Sequence, residues 1–146
     1  WYFLCRKKIF KPTLIFCMNS RDEFISQFRG NALGRIDIQS SVEEEFQNKT
    51  LRPILKLQNE LILQIFNNYL TQNKIHFSNL SIDKKMNTIE ISIAKDSSLQ
   101  NTYKGIIIAF FTIDEYQLYS TFSSGINKRI RSMLIERIQS QLQLLQ

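Results

Sequence analysis

At three places in this chain a Ser or Thr stands three residues ahead of a Glu, and each time apolar periodicity follows. The three are Ser20-Arg21-Asp22-Glu23, Ser41-Val42-Glu43-Glu44 and Thr112-Ile113-Asp114-Glu115. This is the capping-box signature. The hydroxyl caps an early helix amide, and the carboxylate reaches back to the cap residue's own amide. A chain that announces helix starts this often is constrained to an all-α fold. Ser81-Ile82-Asp83 is a weaker version, with acid in the first turn to meet the helix dipole. Four Gly and two Pro supply too few tight turns for a sandwich or barrel.

The apolar spacing fills in the elements. The first helix is predicted over about 20–29, ending at Gly30, and a short acidic helix over about 42–48. Leu51, Ile54, Leu55, Ile62, Ile65, Phe66 and Tyr69 recur at spacings of three and four, which predicts a central helix over about 51–70. Thr50 reads as its N-cap, with Pro53 in the first turn, where a missing N–H costs little. "TQNKIHFSN" reads as a loop, 82–95 as a helix and "DSSLQN" as a break. "IIIAFF" suits a buried strand or a buried helix. Helix is preferred for 103–111, because a lone strand would have no partner for its hydrogen bonds. A helix from Thr112 to about Phe122 and a last one over about 126–144 complete the chain. The expectation is one compact bundle of about six helices, with 51–70 packed on 126–144.

A length of 146 residues with 43% hydrophobic content suits one domain with its own core. The formal charge is +6, but residues 1–17 hold four basic residues and no acid, which leaves +2 on the rest. A broad nucleic-acid surface is therefore disfavoured. Both cysteines, Cys5 and Cys17, also lie in 1–17, so the body offers no disulfide, thiolate cluster or Cys nucleophile. Residues 1–17 read as a non-native or flexible extension, with the domain over 18–146 beginning at Met18. The other reading is a basic, aromatic arm for an anionic membrane surface. No targeting or membrane-spanning segment is visible from Met18 onward, and the expected location is cytoplasmic.

Chemistry-bearing groups are sparse. His76 is the sole histidine, no nucleotide-binding glycine loop is present, and neither cofactor nor metal is expected. Glu43, Glu44 and Glu45 are explained by dipole stabilisation at a helix start. Asn48-Lys49-Thr50 fits a glycosylation sequon, without any other sign of secretion. Lys49 and Arg52, with Lys56 one turn on, form a candidate anion site at the start of the central helix. Gln58 falls between Leu55 and Ile62 on one apolar stripe, and Arg137 between Leu134 and Ile138 on another. Two polar residues on two core-facing stripes are expected to meet, fixing register or lining a small pocket, with Tyr116 a further candidate. A buried Arg137 needs an acceptor, since an unpaired buried charge costs about 3–5 kcal/mol.

"FQNKTLRPILKLQNELILQIF", "KGIIIAFFTIDEY" and "NKRIRSMLIERIQSQL" together resemble a family of small helical bacterial proteins sometimes catalogued under a glyoxalase name. The resemblance covers roughly 18–145. The name implies a metal-dependent lyase of βαβββ modules with His and Glu ligands. This sequence departs from that pattern, with one histidine and capping boxes where strands are needed, so no glyoxalase site residue carries over. The function expected from the residues is a non-catalytic protein-interaction or assembly module, with a protein partner or a homodimer. A glyoxalase-like lyase or other small-molecule enzyme is the first alternative. Nucleic-acid or anionic-membrane binding through basic residues is the second.

Overall fold

A computed structural model describes residues 21–34 and 40–145. The expectations for residues 1–17, and for Ser20 as a cap, lie outside this range. The described residues are all-α, in the order α1 (Arg21–Arg29), α2 (Val42–Phe46), a π-helical turn (Gln47–Leu51), α3 (Arg52–Leu57), α4 (Asn59–Gln72), α5 (Ile82–Lys95), α6 (Ser97–Ile108), α7 (Ile113–Thr121) and α8 (Ser123–Gln139). Short 3₁₀ turns follow α4 and α8, at Phe77–Asn79 and Leu142–Leu144. No described helix is long and apolar enough to cross a membrane.

Of the predicted capping boxes, one closes completely and one forms its hydroxyl half. Thr112 accepts from the Glu115 amide at 3.3 Å, and Glu115 Oε2 accepts from the Thr112 amide at 2.8 Å, closing a complete capping box. Ser41 accepts from the Glu44 amide at 3.2 Å. The "DSSLQN" break hides a third cap, because Asp96 accepts from the Leu99 amide at 2.9 Å and α6 starts directly after it. Ser81 occupies its cap position with no side-chain bond to the helix.

Thr50 is not an N-cap. The chain is already helical from Val42, and Thr50 sits inside the π turn. The cause is Pro53, which has no amide hydrogen to donate. The Arg52 amide bonds back five residues to the Gln47 carbonyl. The next bond in that register would need a donor on Pro53, so the Asn48 carbonyl is left over. The Leu33 amide supplies it from outside the helix, at 3.0 Å. This bond ties the connector after α1 to the π turn. Gly34 lies beside it at φ +116°, and a Cβ there would come within 3.1 Å of the Asn48 side chain. Asn48 and Thr50 of the sequon are both buried.

The single straight helix expected over 51–70 is interrupted at Gln58. Its φ and ψ of −92° and 11° are outside the helical region, although its amide still bonds to Ile54 and its carbonyl accepts from Ile62. The stripe reforms beyond it with Ile62, Leu63, Phe66 and Leu70 buried. α4 then closes in a Schellman motif. The Ile75 amide bonds to the Leu70 carbonyl at 2.9 Å and the Lys74 amide to Thr71 at 3.1 Å. Glycine usually fills the left-handed position of this motif, but here Lys74 holds it at φ 55°. Replacing Lys74 with Gly is expected to raise stability by about 0.5–1 kcal/mol, read as a higher urea midpoint at unchanged slope.

The ambiguous "IIIAFF" segment is helical through Ile108. Leu99, Tyr103 and Ile107 are buried at four-residue intervals, whereas Ile106 and Ile108 are only half-buried. A strand would bury alternate residues instead. Ser123-Ser124-Gly125 opens α8 rather than preceding it, because Gly125 lets α8 approach α2. A Cβ there would lie 3.2 Å from Glu43 Oε1. Ile126, Ile130, Leu134 and Ile138 form the buried stripe of α8, which packs along α5 and against α2 and the π turn. These stripes converge on one core, pinned by the Tyr103 hydroxyl donating to the Ile62 carbonyl at 3.1 Å. Burial pushes the Tyr103 phenol well above its ordinary value.

Candidate functional site

Three polar arrangements organise the surface. The first is centred on Glu115. Its carboxylate takes Arg29 in a two-point contact, Nη2 to Oε1 at 2.6 Å and Nη1 to Oε2 at 2.7 Å. Thr50 Oγ1 donates to Oε1 at 2.6 Å, in addition to the Thr112 amide on Oε2. One capping carboxylate thus joins α1, the π turn and α7. Burial raises the Glu115 carboxyl's affinity for a proton. The hydrogen bonds from Arg29, Thr50 and Thr112 and the Arg29 charge outweigh that, and hold the group below its ordinary value. Every acceptor here serves a neighbouring element, so the cluster is architectural.

That cluster sets how α1 is presented. Arg29 also donates to the Phe110 carbonyl at 3.0 Å, and Arg21 donates to the Phe111 and Ala109 carbonyls at 2.8 and 2.9 Å. These carbonyls lie where α6 ends, a place that leaves acceptors unfilled. Two arginines therefore hook α1 onto the end of α6. Only Ile25 of α1 is buried. Phe24 and Phe28, one turn apart, are 49% and 55% exposed. Their rings stack at 5.6 Å with planes 9° apart, and Phe28 stacks on Phe110 at 6.5 Å and 17°. The result is a row of three aromatic rings, two of them exposed on α1 and the third, Phe110, half-buried in the turn after α6.

The third arrangement lies between α3 and α8. Arg137 donates from Nη1 to Asn59 Oδ1 at 3.0 Å, and the Asn59 and Gln141 amides bond reciprocally at 2.8 and 2.9 Å. Arg137 thus meets Asn59, and the Gln58–Arg137 pair expected from the stripes does not form. The interruption at Gln58 breaks the helical phase there, leaving Gln58 half-buried in the bend and placing Asn59 at the start of α4 against α8. Burial lowers the Arg137 pKa. Beside this cluster is an open groove of about 490 Å³ whose walls include Arg52, Lys56, Glu136 and Arg137, with Leu55 and Met133 at its apolar part.

The remaining sequence candidates separate. Lys49 pairs with Glu45 on its own helix. The helix start that was to give Lys49 and Arg52 an anion site is absent, because α2 runs into the π turn without a free amide end. Arg52 lines the groove without Lys49. Tyr116 is exposed on α7 with its ring 6.0 Å from that of Tyr119 and tilted 38° to it, and Tyr119 donates to Asn127 at 2.9 Å. Neither Tyr116 nor Gln58 lines the groove that holds Arg137. Arg129 bonds Gln47 at 2.7 Å, tying α8 to the π turn.

Sequence reading passed over Phe24, Phe28 and Asn59. The i, i+4 spacing of the two phenylalanines looks like core, and only the burial of Ile25 between them shows which face is turned inward. Asn59 follows a bend that no Gly or Pro signals. Among the described residues no group of three or more His, Cys, Asp or Glu is placed to hold a metal, and none forms a strand of a βαβββ module. Set against known proteins, the chain matches no family model, no curated protein and no solved structure.

Proposed function

We propose that this chain is a non-catalytic interaction module that docks an apolar segment of a protein partner on the row Phe24, Phe28 and Phe110. The observation that carries this reading is the outward stacking of these rings on a helix held down by polar hooks. Aromatic side chains left in water forgo the gain of burying their large apolar surface. Exposed apolar patches of this kind mark contact sites. Rigid, pre-stacked rings also lose little entropy on binding, and buried aromatic anchors dominate interface energetics. The hooks add support, because Arg21 and Arg29 fix the aromatic face before any partner arrives.

The test starts from the full chain with a photo-crosslinking residue at Phe28, used to trap and identify a partner in cell extract. The partner is then purified and titrated against the unmodified chain. Phe24→Ser with Phe28→Ser is expected to weaken that binding by about 30-fold or more, as loss of an aromatic anchor costs about 2 kcal/mol or more. The unfolding midpoint should move little, since both rings are exposed. Unchanged affinity in the double variant removes this face as the docking surface. A second copy of the chain is the partner if the crosslinked species is a dimer and light scattering shows mass rising with concentration.

A further inference from the structure

The groove between α3 and α8 raises a separate question, because its charges are unbalanced. Arg52 and Lys56 stand four residues apart on α3, where like charges repel. Arg137 faces the same space from α8. Against these three cations the described residues of the lining offer one acid, Glu136. Among the described residues none of the three cations takes part in an ion pair. Arg137 is the most telling. It is half-buried, yet the acceptor its side chain reaches is a neutral amide, Asn59 Oδ1. That bond uses Nη1 and anchors the guanidinium at one corner. Nε and Nη2 make no hydrogen bond to the protein, and neither is sealed from solvent.

A half-buried guanidinium without a carboxylate has given up water and gained no opposing charge. An anion entering the groove would supply it. Arginine and lysine suit phosphate oxygens, the guanidinium by paired N–H donors and the ammonium as a point charge. The described lining sums to +2, which matches a phosphate monoester dianion rather than a monocarboxylate. Leu33 and Met133, both half-buried at the groove wall, give the rest of the molecule an apolar seat. A volume of about 490 Å³ falls among small-ligand sites and is too local to follow a polymer backbone. We infer that Arg52, Lys56 and Arg137 form a binding site for a small organic phosphate monoester, with the phosphate on the three cations and the organic part against Leu33 and Met133.

The experiment titrates the full chain with phenyl phosphate, inorganic phosphate and benzoate, followed by NMR of the Met133 methyl and the arginine side chains. Phenyl phosphate is expected to saturate the site, shifting Met133 and Arg137 signals, and to bind more tightly than either other probe. Arg52→Gln with Lys56→Gln is expected to weaken it by about tenfold or more, as loss of charge-assisted contacts does. Both residues are exposed and their side chains make no hydrogen bond or ion pair among the described residues, so this variant keeps its structure. Arg137→Gln should weaken binding at least as much. Lys104→Gln with Arg131→Gln, which line a different and smaller pocket, should leave it unchanged. The proposal is overturned if phenyl phosphate does not saturate, if the Arg52 and Lys56 variant binds it as well as the parent, or if benzoate binds equally. A single-stranded oligonucleotide that displaces phenyl phosphate and binds more tightly also overturns it, in favour of a polymer.

Discussion

Glu115→Ala is expected to cost about 3–5 kcal/mol, the range for stranding a buried charge. Losing a helix cap alone costs about 1 kcal/mol. The difference comes from Arg29, whose side chain is 8% exposed and whose carboxylate partner disappears. Thr50 loses its acceptor in the same step. Urea unfolding of the parent and variant measures the effect. Replacing both partners, Arg29→Met with Glu115→Leu, should recover much of the loss, because no charge then remains buried. A double variant as unstable as Glu115→Ala would show that the cost lies in the cap and the Thr50 contact.

The pH dependence follows from the same carboxylate. Its folded-state pKa is below the ordinary value of 4.5, so folding favours the ionised form. The stabilisation is complete above the ordinary value and is lost as pH falls through the lowered, folded value. The stability gap between parent and Glu115→Gln should therefore be constant near neutrality and shrink in acid below the ordinary value. A gap that widens in acid would contradict the sign.

Phe66→Ala is expected to cost a similar amount, about 3–5 kcal/mol, by a different route. Phe66 is 0% exposed and sits where α4 faces the 3₁₀ turn after it. Its ring meets Phe77 edge-on at 6.3 Å and stacks on Tyr69 at 5.9 Å. Truncation removes apolar area and leaves a void that two aromatic neighbours fill only in part. Unlike Glu115→Ala, this variant should show no change in its stability loss between neutral pH and pH 4. Unfolding monitored at several pH values separates the two mechanisms.

What the sequence disclosed was local, and what it concealed depended on contacts between distant parts of the chain. Thr112 with Glu115 announces its helix because both partners of the cap lie within four residues. The stripe Ile126, Ile130, Leu134 and Ile138 is equally self-contained. Thr50 misled because Thr followed by a proline at the third position is a sound helix start taken alone. The helix had already begun at Val42 and passes through Thr50 as a π turn, whose leftover Asn48 carbonyl is filled by the Leu33 amide, a contact that no local pattern encodes. Arg137 was legible as a polar residue on an apolar stripe. Its acceptor was not, since the bend at Gln58 decides which side chain arrives. The groove was legible only in part. Arg52 and Lys56 are neighbours in sequence, but Arg137 joins them through tertiary packing. The aromatic row was hidden for the opposite reason, because exposed phenylalanines look like core until burial is known.

The π turn before Pro53 amounts to one surplus residue held inside a helix. Length changes in a protein family usually collect in loops, where the flanking elements do not notice them. Here the slack sits mid-helix, and its removal would turn α2 by about 100° relative to α3, one residue's share of a helical turn. Phe46 would swing away from Phe111, which it now meets edge-on at 5.3 Å, and Glu43 would leave the notch at Gly125. Relatives of this chain should therefore keep the spacing from Ser41 to Pro53 fixed, while the connector from Gly30 to Ser40 varies in length.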